Sequence, residues 1–335
     1  MWSAELKRGA VAAIFAGGLC AAAPALAWEP TKPIEIIVPA GAGGATDQMA
    51  RMIQAAVQKN NLLKVPTVVS LKGGASGGEG LMDMKASAGD PYKFIIAQSS
   101  IYTLPFSAKL PFSWKDMTPV AIIALDEFVL WVNSGAPYKT TAEFTAAAKK
   151  AGTETLRMGG TGSKREDQIL TAAIEKATGA KFAYIPYKSG GEAATQLVGN
   201  HTEANVNNPS ENVAQWRAGQ VRALCLFDTT RLPYDEKVTS DMAWKDIPTC
   251  KEVGLDIDYT MLRGIFLPGK VTPDQVAFYQ DLFHKIAQTP EYKDYLKNQA
   301  LKAAYIEGEA MTKFLQEDEA RHKALMTEAG FIASN

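Results

Sequence analysis

Histidine and cysteine are scarce, three of each among 335 residues, and neither shows metal-ligand spacing. No metal centre and no cofactor are therefore expected. Charge of one sign is also lacking, since 35 basic residues stand against 36 acidic ones. Without a basic excess, nucleic acid and anionic membrane surfaces are excluded as expected partners. Long apolar runs are confined to the N-terminus, where Lys7 and Arg8 precede residues 10–23 and Ala25-Leu26-Ala27 fits a small-x-small cleavage site. That reads as a cleavable signal over residues 1–27, and not as an anchor, because polar sequence follows from Trp28 without stop-transfer charges. Leu19, where lipoprotein processing wants a small residue, argues against lipidation of Cys20.

Setting the signal aside removes Lys7, Arg8 and Glu5, two basic and one acidic, and leaves a formal charge of −2. Cys225 and Cys250 remain. Cys225 lies in a strand-like run, 221–227, where a buried free thiol is the ordinary reading; an oxidising compartment leaves a single bridge as the alternative.

With 47 % hydrophobic and 21 % charged residues, the rest has the composition of a globular chain with room for about two domains of 100–150 residues. Apolar runs at 34–38, 65–71, 92–97, 120–124, 128–132, 182–185, 221–227 and 262–267 read as strands. Helical patterns separate them, which makes the class α/β. Thr140-x-x-Glu143, Ser163-x-x-Glu166 and Thr272-Pro273-x-Gln275 fit capping boxes and predict three helix starts. Residues 273–288, 290–299 and 309–329 read as amphipathic helices.

Three glycine-rich segments, 41–47, 73–80 and 159–163, each follow a strand-like run and precede a helical one. Such turns offer unpaired N–H groups and the positive end of a helix dipole, a setting for phosphate or carboxylate. Thr46 and Arg165 stand where a dinucleotide fingerprint needs its third glycine, and no Gly-Lys-Ser/Thr ending is present, so nucleotides are disfavoured. Gly74-Ala75-Ser76-Gly77-Gly78 matches a nucleophile elbow and raises a rival reading, a secreted serine hydrolase using Ser76. His201, His284 and His322 offer that serine no acid–histidine partnership recognisable in the sequence.

The mature chain resembles the Bug-type periplasmic receptors of tripartite tricarboxylate transporters. The resemblance is carried by Ile37-Val38-Pro39 with Gly43-Gly44-x-Thr46-Asp47-x-x-Ala50-Arg51, by Lys72-x-Gly74-Ala75 with Gly80, and by Asp116-x-Thr118-Pro119-Val120. Gly160-Thr161-Gly162-Ser163, Pro186-Tyr187-Lys188, the run from Ala218 to Leu224, Ile247-Pro248-Thr249 with Glu252-x-Gly254, and Pro268-x-x-Val271-Thr272-Pro273 continue it in order. It implies an α/β fold, a two-lobe periplasmic binding protein (Venus flytrap, type II), each lobe a mixed sheet flanked by helices. Lobe 1 is expected over residues 28–127 plus 264–335 and lobe 2 over 128–263, with crossings near 128–133 and 262–267. The implied function is to bind a small organic carboxylate, a di- or tricarboxylate or an aromatic acid, and to deliver it to the membrane subunits of a transporter. The implied state is a monomer that performs no catalysis.

The resemblance further implies that backbone amides of one glycine loop from each lobe grip the ligand: Ala40, Gly41, Ala42, Gly43, Gly44 and Thr46 from the first, and Gly160, Thr161, Gly162 and Ser163 from the second. Asp47 reads first as a helix cap, with ligand contact as the alternative. Gln98, Ser99 and Ser100 end a strand and are expected at the cleft, as are Asn207 and Asn208 in the other lobe; plain turn chemistry is the competing reading of both. Tyr187 either contacts ligand or packs a strand end. Lys164 and Arg165 are either a solvated surface pair or a grip on a second ligand carboxylate. The family often has an aromatic where Ala40 stands, a proline where Ala42 stands, a glycine where Ser76 stands and a histidine where Gln168 stands.

Overall fold

The computed structural model describes residues 28–152 and 156–333; the expected signal segment, 1–27, lies outside the described residues. The chain begins with β1 (Ile34–Val38), α1 (Ala45–Lys59), β2 (Thr67–Leu71), α2 (Gly78–Ala86), β3 (Lys93–Ala97), α3 (Ser100–Ala108) and β4 (Met117–Glu127). It continues through β5 (Val129–Asn133), α4 (Thr141–Ala151), β6 (Leu156–Thr161), α5 (Glu166–Thr178), β7 (Phe182–Tyr187), α6 (Gly190–Val198), β8 (Ala204–Asn207), α7 (Pro209–Arg217) and β9 (Val221–Leu226). It closes with β10 (Thr260–Pro268), α8 (Pro273–Gln288), α9 (Pro290–Gln299), β11 (Lys302–Glu307) and α10 (Gly308–Glu328).

Two mixed sheets result, ordered β11-β4-β10-β3-β1-β2 and β7-β6-β8-β5-β9. Apart from β11 they repeat one plan. β1 lies between parallel β2 and β3, as β6 lies between parallel β7 and β8. In each sheet one antiparallel strand, β10 or β5, is inserted before the last. That inserted strand is the one the chain enters on changing sheets. The outward change takes one residue, Phe128, 1 % exposed. The return is complete by Thr260, which pairs with Glu127, so the run 262–267 lies inside β10 rather than at a crossing. Both crossings are stitched through Phe227, whose N–H donates to the Phe128 carbonyl at 2.9 Å and whose carbonyl accepts from Tyr259 N–H at 3.0 Å.

Local sequence explains most elements. In α1 the helical spacing of Met49, Met52, Ile53, Ala56 and Val57 puts all five on the buried face, each full burial being worth about 1.5–3 kcal/mol for the larger side chains. The Thr140 hydroxyl accepts from Glu143 N–H and the Gln275 side chain accepts from Thr272 N–H, as the capping patterns predict. The third start is different. α5 begins at Glu166 with Arg165 as its cap residue, because Lys164 takes a left-handed φ of +56°, which breaks a helix starting at Ser163. β6, β8 and β11 add to the strands read from apolar runs; Gly159-Gly160, the four-residue Ala-Asn-Val-Asn and the partly exposed β11, none of whose residues is fully buried, dilute their hydrophobic signal.

The free-thiol expectation for Cys225 is overturned: Cys225 and Cys250 form a disulfide, with Cα atoms 4.8 Å apart. The excursion after β9 folds back on it, so that Leu226 N–H donates to the Pro248 carbonyl at 2.9 Å and Cys250 N–H to the Leu226 carbonyl at 2.8 Å. Spacing alone does not reveal that return. The sequence separation of 25 residues corresponds to about 3.5 kcal/mol of loop-closure entropy. Reduction, or the Cys225→Ala/Cys250→Ala double variant, is expected to cost about 2–4 kcal/mol in urea melts run with and without reductant.

Candidate functional site

Because the two sheets share one plan, the β1–α1 and β6–α5 loops are equivalent and face each other across a cleft of about 680 Å³. Ala40, Gly41, Gly44 and Thr46 line its first wall; Ala42 and Gly43 sit exposed on the outside of the turn. Gly43 takes φ +76°, and its N–H donates to Asp47 Oδ2 at 2.8 Å. Asp47 also pairs with Arg51 at 3.0 Å and does not line the cleft, so it clasps its own loop. The N–H groups of Gly41 and Ala42 have no partner among the described residues. Beneath this loop runs the segment after β2. A Cβ on Gly77, already at φ +97°, would lie 2.5 Å from the Pro39 carbonyl oxygen, so only glycine allows the two loops to pack.

Arg263 forms the floor. It lines the cleft yet is 1 % exposed, because its guanidinium is surrounded by acceptors. Nε donates to Asp126 Oδ2 at 3.0 Å, and Nη2 pairs with the same carboxylate. Nη1 donates to the Thr46 hydroxyl at 2.8 Å and to Gln98 Oε1 at 3.1 Å, and Thr46 in turn donates to Gln98 Oε1 at 3.1 Å. Four elements, α1, β4, β10 and the residue after β3, therefore meet on one cation. Ser99 and Ser100, expected at the cleft beside Gln98, are buried beneath it and do not line it. Next to Asp126, Glu127 is fully buried with neither carboxylate oxygen partnered. Burial first, then the nearby Asp126 and Asp228 carboxylates, hold its pKa well above the ordinary range.

Thr161, Gly162, Ser163, Arg165, Tyr187 and Asn208 line the second wall. Its backbone amides are largely spent within the lobe: Thr161 N–H donates to Asp167 Oδ2 at 2.5 Å, Gly162 N–H to the Tyr187 carbonyl at 2.9 Å, and Lys164 N–H to Gln168 Oε1 at 2.5 Å. Gly160, Lys164 and Gln168 lie off the lining. Ser163 bonds Gln168 Oε1 at 3.3 Å through its hydroxyl instead of capping α5. Of the pair expected in the first turn of a helix, both precede it. Arg165 is 7 % exposed, pairs with Glu166 at 3.1 Å, and donates across the cleft to the Ser76 carbonyl at 3.3 Å. The solvated-surface reading of Arg165 is thereby overturned. Asn207 faces inward, donating to the Gly190 carbonyl at 2.8 Å and to Asn212 at 2.7 Å.

Four carboxylates that sequence reasoning missed, Glu166, Asp167, Glu192 and Glu211, also line the cleft, with Lys188 as a further cation. Burial, the nearby Glu211 and the nearby Glu166 raise Asp167 well above its ordinary pKa, against the Thr161 N–H and Arg165. For Arg263 a signal did exist, an arginine inside the apolar run Leu262–Leu267. For the four acids none did, since each sits among ordinary helix-start residues. Ser76 lines the cleft with φ +59°, and no histidine lines it among the described residues.

Two mixed α/β lobes with equivalent glycine loops facing one cleft define a bilobal periplasmic solute-binding protein. The family described as the tripartite tricarboxylate transporter family receptor, TctC, matches residues 49–331, and the chain belongs to it. Members of this family are periplasmic solute-binding receptors and not a family of enzymes. Protein BugT of Bordetella pertussis is 30 % identical over 251 residues, covering 73 % of each chain. A TctC solute-binding protein from Polaromonas, solved without ligand, is 31 % identical, with a TM-score of 0.67 over 89 % of this chain and 99 % of its own. An R. palustris protein solved with adipate shares the fold at 22 % identity, with a TM-score of 0.81 over 91 % of this chain and 99 % of its own.

Two substitutions check the floor. Arg263→Ala leaves Asp126 buried and unpaired and is expected to cost about 3–5 kcal/mol in chemical denaturation. Glu127 has a raised folded-state pKa, so its contribution to stability is full below the ordinary carboxylate range and is lost as pH rises through the raised value. Glu127→Gln should therefore stabilise by about 1–3 kcal/mol near pH 8 and leave stability near pH 4 unchanged, read from melts at both pH values.

Proposed function

We propose that the protein is a receptor that binds a small organic carboxylate between its lobes and presents it to the membrane subunits of a tripartite tricarboxylate-type transporter. The observation that carries this reading is the first wall of the cleft. There the amino end of α1, the unpartnered N–H group of Gly41, and the Arg263 floor all favour negative charge at one place. The adipate bound to the R. palustris relative of this fold supports the ligand class.

From the second wall, Thr161, Gly162, Ser163, Tyr187 and Asn208 close on the ligand. Lobes of about residues 28–127 plus the C-terminal segment, and of 128 to about 260, turn on Phe128 and Tyr259. Closure is driven by the ligand's greater affinity for the closed state, and the transporter reads that state. The leading segment 1–27 acts as the export signal, and the receptor works as a monomer. Ser76 has no catalytic part: its loop serves as a lobe contact through the carbonyl that Arg165 holds.

A thermal-shift screen of mono-, di- and tricarboxylates and aromatic acids tests the reading. A ligand at 100 times its dissociation constant should stabilise by about 2.7 kcal/mol. Stabilisation by no carboxylate, or turnover of an ester lost on Ser76→Ala, would reject it.

A further inference from the structure

The turn Gly74–Gly77, which runs beneath the first glycine loop, is strained. Ala75 takes φ +52° and ψ +45°, and Ser76 takes φ +59° and ψ +30°, two consecutive residues with side chains in the left-handed region. That region brings a Cβ close to the following carbonyl oxygen, so a non-glycine residue enters it at a cost. Ala75 and Ser76 are both exposed, and packing of their own side chains does not impose the conformation. Local bonds secure only the ends of the turn. Gly74 N–H donates to Glu79 Oε2 at 3.0 Å, and Gly77 N–H donates to the Gly73 carbonyl at 3.1 Å.

The middle of the turn is held from the other lobe. Arg165 Nη1 donates to the Ser76 carbonyl at 3.3 Å while Nε stays on Glu166 Oε2 at 3.1 Å. The second loop is shaped for this reach: Lys164 at φ +56° turns the chain, and the arginine stem lies across Gly162, where a Cβ would stand 2.9 Å from Arg165 Cδ. On its far side the turn is packed against the first loop through Gly77 and Pro39. A single guanidinium in this way connects the loop 160–163 to the loop 40–46, by way of a carbonyl that the left-handed turn presents.

We propose that Arg165 and the Ala75–Ser76 turn form a sprung latch between the lobes: Arg165 holds the turn left-handed when the lobes are closed, and the turn relaxes when they part. This rests on the two-lobe closure proposed above. Arg165 is then a positioning residue, which brings the second glycine loop onto the first through the Ser76 carbonyl and does not itself hold a ligand carboxylate. The bond favours the closed form and the strain opposes it, so the two together set how much of the closure the ligand must drive. Both partners belong to the protein, and the latch acts with or without ligand.

Distance measurements between a spin label on each lobe of the mature protein, made without ligand, read the ratio of closed to open forms. Ser76→Gly and Ala75→Gly remove strain at exposed positions and should each raise that ratio about fivefold. Arg165→Ala should lower it about tenfold. Arg165→Lys keeps the charge but lacks the planar fork that reaches Glu166 and Ser76 together, so it should follow Arg165→Ala. With adipate and hexanoate as probes, calorimetry should show the same direction and factor for both acids, tighter in the glycine variants and weaker in the arginine variants. Glycine variants that melt higher with an unchanged ratio would show that the turn keeps its shape in the open form, and would overturn the latch. So would an Arg165→Lys variant that matches the wild type, or a loss confined to adipate, which would make Arg165 a grip on the second carboxylate. If neither acid binds the wild type, the carboxylate reading fails, and the distance measurements decide the latch by themselves.

Discussion

The buried Arg263–Asp126 pair is the contact on which the cleft depends. Two charges without water are costly, and a lone pair of this kind adds little net stability. Here the remaining donor of the guanidinium reaches Thr46 and Gln98, so the cation is satisfied from the start of α1 and from the end of β3 as well as from β4. Its consequence is positional. The amino end of α1 is registered against the central antiparallel pair of its sheet, and the positive charge on the floor is held while its side chain stays almost wholly buried. A hydrophobic replacement could fill the volume but would leave the helix end without this register.

The repeated strand plan explains why one glycine loop from each lobe meets the other. A βαβ unit places its loop at the carboxyl end of its first strand, and the exchange of β5 and β10 between lobes turns those two ends toward one another. The crossings are short and mutually bonded through Phe227, and Tyr259 adds a 2.6 Å contact from its hydroxyl to His322 Nε2 on α10. The C-terminal helix is in this way tied to the hinge. Contacts between the lobes are both apolar and polar: Met326 of the C-terminal helix sits in the core cluster of the second lobe, and Lys302 pairs with Asp228 at 2.8 Å. Arg165 reaches the Ser76 carbonyl and Asn208 reaches the Glu127 carbonyl at 2.8 Å, bonds that a small rotation can break and remake.

Acidity distinguishes the walls. The first offers amides and a paired arginine; the second brings Glu166, Asp167 and Glu211, whose charges are costly so close together. Burial, and after it that crowding, raise Asp167, and its hold on Thr161 N–H keeps that amide of the second loop occupied internally. The two glycine loops are equivalent in topology and unequal in chemistry, the first presenting N–H groups and the second mostly side chains.

The sequence by itself determined the α/β class, the helix starts at Thr140 and Thr272, the amphipathic helices of the C-terminal third and the family, because periodicity, caps and ordered motifs are local properties of the chain. It also located the two glycine loops that face the cleft. It could not show that Arg165 turns inward, since a charge beside a glycine loop looks the same whether solvated or buried. Nor could it show that Ser99, Ser100 and Asn207 turn away from the lining, because residues at a strand end differ in direction by the local twist. The Cys225–Cys250 bridge and the Arg263–Asp126 pair were decided only by tertiary structure. Their partners lie 25 and 137 positions apart along the chain, and only the folding back of the β9 excursion and the insertion of β10 beside β4 bring them within reach.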